Sequence, residues 1–115
     1  MTANDQKVTH DEERITIGRP TFKCIAFVTY SEELFKQISS VTWFVVRSKT
    51  GKEYLKSGRY GLLHQLVINY FYGADVLKEA YANDYVIDHL DNNGYDCTYE
   101  NLAFKERKYS KGLDL

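Results

Sequence analysis

Tyr85-Val86-Ile87-Asp88-His89-Leu90-Asp91-Asn92-Asn93-Gly94, followed after a short gap by Glu100-Asn101-Leu102, is the stretch on which the reading of this chain turns. Tyr85, Val86 and Ile87 are aromatic or β-branched and predict a short strand ending in Asp88-His89. Asp91 to Gly94 is a strong turn signal, in which Asp91, Asn92 and Asn93 serve as turn-capping residues. Neighbouring strand residues point to opposite faces. Asp88 and His89 therefore serve one site only if the strand bends there. Tyr99 to Phe104 reads as a helical or bridging segment, and Lys105 to Lys111 as a final helix.

Upstream, apolar residues at Leu62, Leu63, Leu66, Val67, Tyr70 and Phe71 fall at helical spacing between Tyr60 and Tyr72, and Gly73 stops that helix. A short helical turn is expected over Val76–Tyr81. His64 sits among apolar helix neighbours and is expected as a buried residue bridging helix to hairpin rather than as a ligand. Toward the N-terminus, Val41 to Val46 predicts a strand, Lys49 to Lys52 a turn, and Glu53 to Leu55 a returning strand. Ser31 before Glu32-Glu33 is a helix start, with Leu34, Phe35 and Ile38 on one face. Residues 15–30 are strand-like runs interrupted at Gly18-Arg19-Pro20, and residues 1–14 are polar and read as a loose leader.

The length of 115 residues fits one compact domain. A net charge of −1 lacks the global basic balance of many nucleic-acid binders, so any such surface must be local. Cations cluster at Lys105, Arg107, Lys108 and Lys111, and again at Arg47, Lys49, Lys52, Lys56 and Arg59. Acids gather elsewhere, at Asp5, Asp11, Glu12, Glu13, Glu32 and Glu33. Cys24 and Cys97 are far apart, outside any paired metal spacing, and read as reduced thiols. No apolar run approaches a membrane span and the N-terminus is polar, so the expected compartment is the cytosol, with no membrane partner. The tyrosines at 70, 72, 81, 85, 95, 99 and 109 read mostly as core or rim, with base stacking as the functional alternative.

The segment from Asp88-His89 through Asp91 and Asn93 to Glu100-Asn101-Leu102 resembles the HNH (ββα-metal) endonuclease family of phage and mobile-element type. Leu63-His64-Gln65-Leu66-Val67 with Phe71 looks like the helix preceding that motif, and Glu33 to Val46 with Trp43 is similar to the N-terminal part of such proteins. The resemblance implies an α+β fold: a β-rich part with short helices over 15–59, then a ββα-metal module over 60–115. It implies hydrolysis of DNA phosphodiester bonds with Mg²⁺ or Mn²⁺. His89 matches the general base, Asp88 the metal ligand and Asn101 the residue that braces loop and base. Lys105, Arg107, Lys108 and Lys111 would then lie near the phosphate backbone.

The pattern departs from the family after Asn101. No His or Asn follows where a further metal ligand is expected on the closing helix, and Glu106 is the nearest substitute. A second reading follows from that departure: a catalytically inactive HNH-fold protein that binds another macromolecule, such as a phage-encoded inhibitor or regulator of a host defence nuclease.

Overall fold

The computed structural model describes residues 5–107. Its first element lies within the expected leader: strand β1 (Lys7–His10) pairs antiparallel with β2 (Arg14–Arg19). The turn between them is closed by Asp11, whose Oδ1 accepts the backbone N–H groups of Glu13 and Arg14 at 2.7 and 2.9 Å. The segment is fastened at its start as well. Asp5 pairs with Arg19, and the Gln6 amide reaches the Val41 carbonyl and the Trp43 N–H. An edge strand with only Val8 turned toward the core carries no apolar period, so hydropathy reads it as loose chain.

β2 continues through a 3-10 turn at Pro20–Phe22 into β3 (Cys24–Thr29), the break expected around Pro20. Ile15 and Ile17 on β2, with Cys24, Ala26 and Val28 on β3, alternate inward and are buried. Ser31 caps helix α1 (Glu32–Ser39), accepting the Leu34 N–H at 3.2 Å, and Leu34 and Ile38 enter the core. The next strand starts later than its β-branched run suggests. β4 spans Phe44–Arg47, because the Gln6 side chain occupies backbone groups of Val41 and Trp43. Trp43 is fully buried and donates its indole N–H to the Ile38 carbonyl.

A second sheet is formed by β4, β5 (Glu53–Ser57) and β6 (Gly61–Leu62). Helices α2 (Leu63–Tyr72) and α3 (Ala74–Ala82) follow, separated by Gly73 at φ 94°, a conformation that favours glycine. α3 extends the expected helical turn at both ends.

The third sheet is a hairpin of β7 (Tyr85–His89) and β9 (Leu102–Glu106). Between them lie β8 (Asp96–Cys97) and a 3-10 turn at Tyr99–Asn101. The segment read as helical or bridging over 99–104 is thus a single 3-10 turn followed by a strand. Leu102 and Phe104 face the same side as Ile87 and His89 in the ladder, a period of two rather than 3.6. Of the expected final helix, Lys105 and Glu106 belong to β9, and residues 108–111 lie outside the described residues.

Parallel β8 joins β3, with Phe27 opposite Asp96 and Val28 opposite Cys97. The loop segment between β7 and β9 is thereby stitched into the N-terminal sheet. One core runs from Ile15 to Leu102. The fold is α+β, with three helices and three small sheets among the described residues. No described helix is long and apolar enough to cross a membrane.

Candidate functional site

β7 places Asp88 opposite Ala103 and His89 opposite Leu102 in an unbroken antiparallel ladder. Residues opposite one another share a face. Asp88 therefore lies with Val86, Ala103 and Lys105 on one side, while His89 lies with Ile87, Leu102 and Phe104 on the other. The bend that would bring Asp88 and His89 together comes one residue too late. The Leu90 N–H donates to the Asn101 carbonyl and the Asn92 N–H to the His89 carbonyl, both at 2.8 Å. Asn92 adopts φ 65°.

The loop from Asp91 to Thr98 is held by its own polar side chains. Asn101 donates through Nδ2 to Asp91 Oδ1 and to the Asp96 carbonyl, both at 2.8 Å, and accepts the Asp91 N–H at 3.0 Å. One amide thus ties both ends of the loop to the start of β9, a bracing geometry that uses its donor and acceptor together. Asp91 Oδ1 also accepts the Asn93 N–H, Asn93 Oδ1 the Tyr95 N–H, and Asp96 Oδ1 the Thr98 N–H and hydroxyl. The Asn93 N–H and the Asn101 amide hold the Asp91 carboxyl below its ordinary range.

His89 is only 7% exposed. Its Nε2 lies 3.7 Å from Cys97 Sγ, and its ring centroid lies 5.0 Å from His64 and 5.6 Å from Tyr54. Burial pushes the imidazole below its ordinary pKa. The Asp88 and Asp91 charges pull it back up, and Lys52 pushes it down. His89 is therefore neutral near pH 7, the form that can accept a proton.

His64 is 1% exposed, and neither ring nitrogen has a hydrogen-bond partner among the described residues. Burial, with a smaller contribution from His89, pushes its pKa down to about 3. It joins α2 to the hairpin through His89 and to β5 through Tyr54, at 5.2 Å between rings. Cys97 is buried against the same group, its thiol pushed up mainly by burial. Both cysteines are free thiols.

A second contact fixes the loop against β5. A Cβ at Gly94 would overlap the Glu53 carbonyl oxygen and the Tyr54 ring, so only glycine lets the two backbones approach. The Tyr95 hydroxyl donates to Glu53 Oε1 at 2.7 Å. Sequence reasoning missed Tyr54, Cys97 and Lys52 as neighbours of His89. The available signal was the alternation of β5, which puts Tyr54 and Lys56 on one side of the strand.

The other candidates are dispersed. Glu106 pairs with Tyr85, on the opposite face from Asp88 and on the order of 10 Å along the ladder, which corrects its reading as a substitute ligand. Among the described residues no three His, Cys, Asp or Glu side chains are grouped to hold a metal ion. Lys105 is exposed on the Asp88 side. Arg107 is half-buried, its Nε is enclosed without a hydrogen-bond partner among the described residues, and its backbone N–H donates to the Asp84 carbonyl. Lys108 and Lys111 lie outside the described residues.

No family model, curated protein or solved structure matches the chain.

Proposed function

We propose that the chain is an HNH-type endonuclease acting on DNA, with His89 as the base that takes the proton from water and Asn101 as the brace of the loop beside it. The observation that carries this reading is the Asn101 lock: one amide closes a loop onto the strand end that bears Asp88 and His89. A general base of this kind contributes about 10²–10⁴-fold to a rate. Mg²⁺ or Mn²⁺ comes from the family resemblance. Asp88 is the one carboxylate on its side of the hairpin ladder, and the described residues do not complete a cation site around it.

A second reading is favoured by the burial of His89. Water must reach an imidazole packed against Cys97, His64 and Tyr54, on the face opposite Asp88. In that reading the same hairpin supports a catalytically inactive binding protein, with an unidentified macromolecule as partner, a phage-borne inhibitor or regulator being the example. A plasmid-nicking assay with Mg²⁺, Mn²⁺ or EDTA separates the two. Metal-dependent nicking that Asp88→Asn abolishes supports the nuclease. Folded protein that leaves the plasmid intact in every condition supports the binding protein.

A further inference from the structure

The basic residues between positions 47 and 59 lie on and around the β4–β6 sheet, apart from the Asp88-His89 strand end. Arg47, Lys49, Lys52, Lys56 and Arg59 are five cations against one carboxylate, Glu53, in a chain whose net charge is −1. This positive charge sits on the β4–β6 sheet and its turns. All five residues are exposed. Glu53 offsets little of it beyond Arg47, because its carboxylate is engaged by the Arg47 guanidinium at 2.5 Å and by the Tyr95 hydroxyl.

The sheet is also positioned relative to the candidate site. The Asn101-locked loop rests on β5 at Glu53 and Tyr54, through the close approach that Gly94 permits. Lys56 lies on the same side of β5 as Tyr54, whose ring faces His89, and the Lys52 charge, one residue before the strand, acts on His89. Lys49 lies in the preceding turn, which is closed by the Ser48 N–H on the Lys52 carbonyl and the Gly51 N–H on the Ser48 carbonyl. The acids on the loop, Asp91 and Asp96, are tied into its own hydrogen bonds with Asn93, Asn101 and Thr98 and keep their charge. By contrast, the C-terminal cations expected to contact phosphate include the half-buried Arg107.

We propose that the β4–β6 sheet is the DNA-contacting surface of this protein, with Lys49, Lys52 and Lys56 holding the phosphodiester backbone beside the Asn101-locked loop. The proposal rests on DNA being the partner. Lysines are compact, mobile point charges, so the contact is with phosphates rather than base edges, and affinity depends on salt rather than on sequence.

The test is fluorescence anisotropy of a labelled DNA duplex in EDTA, where cleavage plays no part. The triple variant Lys49→Glu/Lys52→Glu/Lys56→Glu is compared with Lys7→Glu/Lys36→Glu/Lys78→Glu. The second set makes the same change in net charge at exposed positions on β1, α1 and α3. The expected result is at least a tenfold loss of affinity in the first triple variant, with the slope of log K against log salt falling by about three. The control set should stay within about threefold of wild type. Equal losses in both sets, no loss in the first, or no binding by wild type would overturn the proposal. Nicking assays on the same proteins separate this from the nuclease reading. DNA binding without nicking retires the nuclease alone, and nicking with binding unmoved by the first triple variant retires the basic surface alone.

Discussion

Lowering the pH from 7 to 5 should weaken this fold chiefly through His64. The folded protein holds that imidazole at a pKa of about 3, against an ordinary 6.5, because protonation would leave a buried cation beside His89 and Tyr54. The folded pKa is depressed, so between these limits the unfolded chain binds the proton and the folded one does not. The stability is fully present above 6.5 and is lost as pH falls toward 3. Each pH unit inside the window costs about 1.4 kcal/mol, so the drop from pH 7 to pH 5 is about 2 kcal/mol. His89, also depressed by burial, acts in the same direction. The hydrogen-bonded carboxylates of Asp11, Glu53 and Asp91 have lowered pKa values, so their contributions are lost only below their ordinary range, outside this interval. Urea denaturation at pH 7, 6 and 5 reads the effect as a fall in midpoint of about 1–2 M. His64→Leu removes the titrating group and two unpaired ring nitrogens. It should leave stability at pH 7 unchanged or raised by about 1 kcal/mol, and should flatten most of the acid slope. A variant that keeps the full wild-type slope, or that loses several kcal/mol at pH 7, would refute the reasoning.

Asn101→Ala removes three hydrogen bonds that close the loop and should cost about 2 kcal/mol, read by chemical denaturation, with faster amide exchange at Leu90 and Asp91. Gly94→Ala forces a methyl group into the Glu53 carbonyl and the Tyr54 ring and should cost about 1–3 kcal/mol, read by the same method. Asp88→Asn should leave the denaturation midpoint unchanged, because no hydrogen bond of the hairpin ladder depends on its carboxylate. Stability should fall as pH rises above 9, because burial raises the folded-state pKa of Cys97 and the unfolded chain loses that proton first. Cys97→Ala should weaken the alkaline loss in the same denaturation series.

Local signals in the sequence located most of the regular elements. The Ser31 cap with two following acids marked α1, the apolar spacing from Leu62 to Phe71 marked α2, and Tyr85-Val86-Ile87 marked β7. What stayed hidden was set by distant partners. β1 is polar and is held by Asp5, Gln6 and its pairing to β2. β8 is two residues long and exists only because β3 lies beside it. Leu102-Ala103-Phe104 is too short to show whether it is helical or extended, and the ladder to β7 makes it the strand β9. In the site, the burial of His89 stayed hidden, because it depends on Tyr54 from β5 and His64 from α2 meeting at one ring.

The most direct test of His89 as a proton-accepting base is chemical rescue. Plasmid nicking by wild type and by His89→Gly is measured in Mn²⁺, with and without added imidazole. The account predicts a loss of at least 100-fold in His89→Gly and partial recovery when imidazole occupies the vacated space. Nicking by His89→Gly at the wild-type rate would contradict it.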